Sequence, residues 1–247
     1  MQGIWYTFPA SMGEDQAWVT YSHGYAEIAK GDIRNNHLRI RAQIKKPTEY
    51  GMPTNEEFPN LSALDDMLDD GISKIGGIYT GRITVSGSRY FYYYTDATED
   101  NVKHIIEHAS DSTGYELQYM WEHDPEKNKY WEELYPTADD WQVIQDLKVL
   151  DSLAEEDDLK DKEREVQHWA YFSTNHSSEI FKNWVSENSY TLIYIGPTED
   201  KTEYMVHYSH IGTMYLGDIT HHTIGSNRKA RELDGRYDGW ETSVERD

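Results

Sequence analysis

The sequence has no cysteine and few basic residues. Its 247 residues include 23 Lys and Arg against 45 Asp and Glu, a formal charge of −22 at pH 7. Without cysteine there can be no disulfide, zinc–thiolate site or thiol nucleophile, which agrees with a reducing compartment. A field this negative repels phosphate backbones and anionic membranes. We therefore expect no direct nucleic-acid binding, and we expect a partner protein that is basic or carries a basic disordered segment.

Long apolar runs are also missing. No segment approaches the roughly 20 apolar residues that a membrane-spanning helix needs. The first residues, Met1-Gln-Gly-Ile-Trp-Tyr, lack the basic and then apolar regions of a signal peptide. The pattern predicts a cytoplasmic protein with no membrane attachment.

Known catalytic motifs are absent as well. The chain has no G-x-S-x-G elbow, no H-E-x-x-H zinc motif and no Gly-rich phosphate loop. Asp and Glu are so frequent that spacing alone cannot select a general acid and base. The sequence therefore favours a non-catalytic protein without a cofactor, although a site assembled from residues distant in sequence would leave no motif.

An acidic segment between Asp139 and Glu165 divides the chain. Its first half keeps an apolar stripe at the i, i+4, i+7 and i+11 spacing of one helix face, whereas Leu159 is the one such residue in its second half. We expect a solvated helix followed by a linker. The predicted division is a first domain over 1–150, an acidic linker over 151–164 and a second domain over 165–247. The stripe consists of Val143, Leu147, Leu150 and Ala154.

The second domain has a strand, a helix, a hairpin, a helix and a final strand. The first strand alternates from Glu165 to Ser173, and a helix follows that Ser177 or Ser178 can cap. His168 falls on the apolar face of that strand, where we expect a hydrogen-bonded core histidine. This order, β-α-β-β-α-β, is the ferredoxin-like or split βαβ arrangement. The remaining predicted elements are a hairpin of 190–195 and 202–209, a helix over about 218–233 and a last strand from Trp240.

The first domain shows the same order after an extra hairpin near 17–28. Strands over 78–85 and 88–95 flank Ser86-Gly87, a tight hairpin signal. Thr54 and Glu57 have the spacing of a capping box for the helix that follows. Pro59 would then fall in the second turn and remove a hydrogen bond, unless the helix restarts at Asn60. The predicted fold class is α+β, with two tandem ferredoxin-like domains joined by the acidic helix and linker.

The C-terminal stretch from Arg231 to Thr242 has an unusual sequence, R-E-L-D-G-R-Y-D-G-W-E-T. We expect Gly235 to end the last helix in the left-handed conformation and Asp238-Gly239 to form a turn. Beyond the turn, Trp240 should face the core and Glu241 the opposite side. The stretch resembles the end of the RraB family, the regulators of ribonuclease E activity. That resemblance implies a ferredoxin-like fold and a role in protein binding.

The first half resembles a second family, described only as a domain of unknown function and often fused upstream of RraB-like domains. The resemblance covers roughly residues 10 to 145 and implies no established activity. It rests on Gly51-Met-Pro-Thr-Asn-Glu-Glu57, Tyr79-Thr-Gly-Arg82, Gly87-Ser-Arg-Tyr-Phe-Tyr-Tyr-Tyr94, Trp131 and Leu134-Tyr-Pro136.

Two sets of residues are candidates for partner binding. Tyr90, Tyr92 and Tyr94 share one face of a strand where RNA-recognition motifs place base-stacking aromatics. The acidic charge disfavours RNA here, which leaves sheet packing or a protein-binding face. The second set comes from the C-terminal stretch, where cap, turn and strand packing is the structural alternative. Its members are Asp234, Tyr237, Asp238, Trp240 and Glu241.

Four histidines are the candidates for a metal site. His207 and His210 precede His221 and His222 of the following helix, so imidazoles from adjacent elements could meet around an ion. His207 and His210 point to opposite sides of a regular strand, however, and a polar surface explains them without a metal. The sequence therefore favours no metal.

The function expected from these observations is non-catalytic protein binding. The partner would be a protein, and the RraB resemblance implies an RNA-processing enzyme of the ribonuclease E type. The alternative is an enzyme or small-molecule-binding protein that uses a cleft between the two domains.

Overall fold

The chain forms two compact units, Met1–Pro136 and Thr137–Asp247. The computed structural model describes residues 3–246, so Met1, Gln2 and Asp247 lie outside the described residues. The division comes earlier than the predicted linker over 151–164. The reason is that the acidic helix belongs to the second unit, where it packs against another helix of that unit.

The first unit is a six-stranded antiparallel sheet with two long helices. The strand order is β1-β2-β4-β5-β3-β6, so that β4-β5-β3-β6 is the ferredoxin-like sheet and the β1–β2 hairpin extends it at the β4 edge. The strands are β1 (Trp5–Met12), β2 (Asp15–Ser22), β3 (Asn36–Gln43), β4 (Ile78–Val85), β5 (Ser88–Thr95) and β6 (Leu117–His123). The helices are α1 (His23–Ile28), α2 (Phe58–Lys74) and α3 (Glu99–Thr113), with short turns of 3-10 helix at Ala29–Gly31 and of π-helix at Tyr130–Leu134.

The β4–β5 hairpin has the bounds that the sequence predicts. Ser86 and Gly87 both take positive φ, 47° and 72°, as a two-residue turn matched to the strand twist requires. The extra hairpin, in contrast, is β1–β2 and ends at Ser22, so the prediction near 17–28 was wrong in its bounds. Ser22 accepts a hydrogen bond from the Tyr25 amide and starts α1 instead.

The core of the first unit lies between the sheet and helices α2 and α3. The side chains of β3 and β5 that face the helices alternate with those that face away, as half-buried strands require. These core residues include Leu38, Ile40, Phe91 and Tyr93 from the sheet and Leu64, Leu68, Val102 and Ile106 from the helices.

The capping box predicted at Thr54 and Glu57 was wrong. Glu57 occupies the N-cap of α2 without a side-chain cap bond, and its Oε1 accepts hydrogen bonds from the Tyr115 hydroxyl and the Lys45 amide. Pro59 falls in the first turn, where a missing N–H costs no helical bond. Tertiary partners, not a local cap, therefore hold this helix start.

The second unit is a four-stranded antiparallel sheet with three helices. Its strand order, β10-β7-β9-β8, is the ferredoxin-like order, so the fold class predicted for the chain is confirmed. The strands are β7 (Arg164–Phe172), β8 (Thr191–Pro197), β9 (Tyr204–Gly212) and β10 (Arg236–Thr242), and the helices are α4 (Ala138–Glu155), α5 (Asn175–Glu187) and α6 (Leu216–Glu232).

The acidic segment is more ordered than a linker. Thr137 and Asp140 form a capping box that begins α4. After the helix, the side chains of Arg164 and Asp158 form a buried ion pair, and Asp158 also accepts the Glu245 amide at 2.8 Å. These contacts fix residues 156–163 to the end of the sheet where β7 begins and β10 finishes.

The C-terminal stretch differs from its predicted geometry at two points. Asp234, with φ 53°, is the left-handed residue after α6, and Gly235 is not. Glycine is needed at 235 for space, since an added Cβ would lie on the Phe172 ring and 2.7 Å from the Tyr171 carbonyl oxygen. Asp238 and Gly239 form no turn. They make a bulge inside β10, with Gly239 at φ 123°.

Among residues 3–246, no helix combines the length and the apolar character needed to cross a membrane.

Candidate functional site

One face of the second sheet carries no helix of the second unit, and we call it the open sheet face. Alternation along β7 directs Val166, His168 and Ala170 into the core, so the residues between them point the other way. Neighbouring strands in register add their own side chains to this surface. The open sheet face consists of Glu165, Gln167, Trp169, Tyr171, Met205, His207, Ser209, Arg236 and Glu241.

The centre of the open sheet face is an aromatic pair. The rings of Trp169 and His207 stack with centroids 4.5 Å apart and planes at 16°. His207 Nε2 lies 2.8 Å from the side-chain oxygen of Gln167, which fixes the orientation of the imidazole. Both rings are half-buried, so they offer a rigid, shallow apolar surface of the kind that forms the centre of protein interfaces.

Carboxylates lie beside this pair. Glu241 and Glu165 are exposed and both raise the pKa of His207, although burial has the larger effect and leaves that pKa lowered. At the other end, the guanidinium of Arg236 lies 4.1 Å from the Tyr171 ring centroid and pairs with Glu203 at 2.9 Å. The result is an aromatic strip with acidic groups on its rim.

The edge strand β8 carries exposed apolar side chains, of which Tyr194 lies opposite His207 and so extends the open sheet face. Within the described chain β8 pairs with β9 alone, and Leu192, Ile193 and Tyr194 are each more than a third exposed. An unprotected edge with apolar side chains can pair with a strand from another chain.

Behind the sheet, a groove of about 400 Å³ runs between α4, α6 and β10. Its base is Asp146, a buried carboxylate on α4. Asp146 accepts hydrogen bonds from Gln142 Nε2, Thr223 Oγ1 and the indole Nε1 of Trp240, at 2.9, 2.5 and 2.9 Å. Burial raises the pKa of Asp146, and these three bonds oppose that shift. The carboxylate is thus fully engaged in joining α4 to α6 and β10.

A network of histidine and tyrosine side chains fills the space between the sheet and α6. His168 contacts the Tyr237 hydroxyl through Nδ1 at 2.7 Å and His210 Nδ1 through Nε2 at 2.8 Å. The ring of His210 stacks on that of His222 at 3.7 Å, and His222 Nδ1 lies 2.8 Å from the Tyr190 hydroxyl. His168 is therefore the hydrogen-bonded core histidine that its position on the strand predicts.

This network holds its histidines neutral. Burial is the main cause that lowers the pKa of His168, of His210 to about 4, and of His222, and the mutual repulsion of neighbouring imidazoles adds to it. Burial likewise raises the pKa of Tyr237 well above its ordinary value. Sequence reasoning placed His168 correctly but missed its partners, because the strand pattern carries no signal for contacts with residues 42 and 69 positions away.

The predicted metal candidates do not form one site. His207 lies on the open sheet face, whereas His210 and His222 lie in the core, and His221 is exposed on α6. Among residues 3–246, no group of three or more His, Cys, Asp or Glu side chains is arranged to hold a metal ion.

The predicted tyrosine face of the first unit is covered, so that prediction was wrong for two of its three members. Tyr92 and Tyr94 are buried, and their hydroxyls donate to Glu133 and Asp124 at 2.7 and 2.6 Å. The segment that follows β6 lies over them. Tyr90 is half-buried, with the Arg39 guanidinium 5.6 Å from its ring.

The residues of the C-terminal stretch divide between two faces. Trp240 is buried, so its expected role in partner contact was wrong, while Glu241 points to the open sheet face as expected. The bulge reverses the alternation, which puts Tyr237 on the same side as Trp240, half-buried and bonded to His168. Asp234 and Asp238 are exposed.

The model of the family of unknown function DUF695 matches residues 4–135, more than half of the 247 residues. The chain belongs to the DUF695 family. In this DUF695 protein, the model of a second family, Regulator of ribonuclease activity B, matches residues 143–242. The second unit, with the open sheet face, is thus similar to those regulators. Both resemblances drawn from the sequence are confirmed.

Similar solved structures add little to this assignment. An unknown protein from Galdieria sulphuraria is 8% identical, with 85% of this chain and 99% of that one covered and a TM-score of 0.23. A protein provisionally assigned as a glycine cleavage system transcriptional repressor is 6% identical, with 87% and 100% covered and a TM-score of 0.24. Scores this low carry no argument about fold or function. No curated protein matches the chain significantly.

Proposed function

We propose that this DUF695 protein is a non-catalytic regulator of ribonuclease activity that acts by binding a protein through its open sheet face. The match of the second unit to the family Regulator of ribonuclease activity B supports the regulatory role. The observation that carries the binding surface is the stacked pair of Trp169 and His207, with Glu165 and Glu241 on its rim.

The partner is a basic protein, or a protein with a basic disordered segment. The formal charge of −22 attracts such a segment over distance. At the surface, Glu241 and Glu165 pair with its cations, and the ring of Trp169 provides apolar contact area. An RNA-processing enzyme of the ribonuclease E type fits this description. A cytoplasmic location belongs to the same proposal.

Charge reversal on the two faces of the second unit tests the surface. The full chain is titrated against the ribonuclease E-type enzyme of its own cell, and association and dissociation rates are measured. Glu241→Lys should weaken binding by at least about tenfold, equivalent to about 1.4 kcal/mol. Glu187→Lys makes the same charge change on α5, on the helix side, and should weaken binding much less. Equal effects of the two variants would move the interface away from the open sheet face.

The role of the aromatic pair and that of charge can be separated. Trp169→Ala should raise the dissociation rate with little change in the association rate, since it removes contact area but no charge. Raising ionic strength from 0.1 to 1 M shortens the Debye length from about 10 to about 3 Å, so association should slow markedly. An association rate insensitive to salt would remove the acidic groups from the mechanism.

A further inference from the structure

The first unit has a pocket of about 260 Å³ whose charged lining is basic, in a strongly acidic protein. It lies between strands β1, β2, β4 and β5 and the start of α2. The residues that matter for its chemistry are Trp18, Thr20, Phe58, Arg82, Thr84 and Arg89.

Strand register brings these side chains to one face of the sheet. Thr84 of β4 is opposite both Trp18 of β2 and Arg89 of β5. Arg82, two residues before Thr84, is opposite Thr20 and therefore projects to the same side. The β1–β2 hairpin extends the sheet past α2, and the space beyond the first turn of that helix is the pocket.

Arg89 is the unusual residue of the pocket. Its exposure is 4%, and Nε donates to Thr84 Oγ1 at 3.0 Å. The guanidinium atom Nη1 is buried without any hydrogen-bond partner among the described residues. A buried donor left unsatisfied is destabilising, and more so when it is charged.

The neighbouring Arg82, in contrast, has a charged partner. Arg82 forms an ion pair with Asp65 of α2 through Oδ2, while Asp65 Oδ1 has no hydrogen-bond partner among the described residues. Burial and the charge of Arg82 both lower the pKa of Arg89, and the charge of Asp65 opposes this shift only in part.

The rest of the pocket is open and is lined by threonines and large apolar side chains. Trp18 is 41% exposed and Phe58 50%, unusual fractions for large apolar side chains. The Phe58 ring centroid is 6.0 Å from the Arg89 guanidinium carbon, so an anion on Arg89 would have an aromatic surface beside it.

We propose that this pocket binds a small aromatic acid, with its carboxylate or phosphate on Arg89 and its ring against Trp18 and Phe58. The anion supplies the acceptor that Arg89 Nη1 lacks, in the charge-assisted geometry that arginine favours. The volume lies below the about 300–1,000 Å³ of sites for drug-sized ligands, so the ligand has one or two rings.

Thermal unfolding and calorimetric titration of the full chain test the proposal, with benzoate, phenyl phosphate, inorganic phosphate and benzyl alcohol as probes. Benzoate or phenyl phosphate should raise the melting temperature of the first unit and bind measurably. Binding by only one of the two acids identifies the head group. Benzyl alcohol, which lacks the charge, and inorganic phosphate, which lacks the ring, should each bind at least about tenfold more weakly.

Two variants locate the site. Arg89→Met should abolish binding of the aromatic acid. Because Arg89 is buried and its replacement could unfold the unit, Thr20→Asp provides a second measurement: it leaves Arg89 in place, adds a carboxylate to the pocket and should weaken the acid at least about tenfold. Arg246→Met, at an exposed arginine of the second unit, should leave binding of the acid unchanged.

Three outcomes would overturn the proposal. They are that neither acid binds at 10 mM, roughly the weakest affinity such a contact could give, that benzyl alcohol binds as well as the acids, or that Thr20→Asp binds the acid normally.

Discussion

The indole N–H of Trp240 donates a hydrogen bond to Asp146 Oδ1 at 2.9 Å, and so joins the last strand to the acidic helix 94 residues earlier. Trp240 is 8% exposed, and it packs in a small core with Leu153, Val166, Met214 and Ile219. The C-terminal stretch therefore holds α4 on the second unit through one aromatic side chain.

Truncation of Trp240 should destabilise the second unit through both packing and hydrogen bonding. Trp240→Ala should lower the free energy of unfolding by about 3–5 kcal/mol, because it opens a cavity. Trp240→Phe keeps most of the volume and should cost about 1–3 kcal/mol, because the buried Asp146 loses one of its three donors. Urea unfolding followed by circular dichroism measures both. A Trp240→Phe variant as stable as the parent would show that this hydrogen bond contributes nothing.

Acid should weaken the second unit through its buried histidines. Burial lowers the pKa of His168, of His210 to about 4, and of His222, whereas the unfolded chain protonates each near about 6.5. Below that pH the unfolded state binds protons that the folded state does not bind. The stability that these neutral histidines contribute is therefore fully present above about pH 6.5 and is lost as pH falls toward about 4.

The urea midpoint measured between pH 7 and pH 4 checks this loss. Asp218, 3.9 Å from His222, raises the pKa values of both His210 and His222. Its own pKa is lowered, so it adds acid sensitivity only below this range. His210→Gln should reduce the slope of stability against pH. A slope unchanged by this substitution would assign the acid sensitivity to other groups.

The ion pair of Arg164 and Asp158 should be costly to break from one side. Both side chains are nearly fully buried, 3% and 2% exposed, and Arg164 also donates to the Leu159 and Ser243 carbonyl groups. Arg164→Met leaves Asp158 buried without its counter-ion and should cost about 3–5 kcal/mol. Arg246→Met, whose exposed pair with Glu156 lies nearby, should cost no more than about 1 kcal/mol. Similar costs for the two variants would mean that water reaches Asp158.

Asp234 and Gly235 should respond in opposite directions to substitution. Gly235→Ala places a methyl group against Phe172 and should cost about 1–3 kcal/mol. Asp234→Gly relieves a left-handed backbone at φ 53° and should be neutral or slightly stabilising, by at most about 1 kcal/mol. Thermal unfolding of each variant and of the parent protein measures these changes in stability. If Asp234→Gly destabilised more than Gly235→Ala, Gly235 would be the left-handed residue that the sequence pattern predicts.

Local patterns predicted the elements well wherever neighbours in sequence decide the conformation. Ser86-Gly87 predicted a hairpin with correct strand bounds, because a two-residue turn fixes both its own dihedral angles and the register of its strands. Where a third element intervened, the same reasoning failed. Glu57 has capping-box spacing, yet its carboxylate accepts a hydrogen bond from Tyr115, 58 residues later.

The sequence by itself determined the two ferredoxin-like units and the opposite orientation of Trp240 and Glu241, since these depend on local periodicity, and the two family resemblances, which rest on short sequence motifs. Tertiary structure alone decided the rest. It buried Tyr92 and Tyr94 under a later segment, assembled His168, His210 and Tyr237 into one network, and left Nη1 of Arg89 without an acceptor. Those contacts join residues tens of positions apart, and strand periodicity cannot indicate which distant side chain will complete a buried polar group.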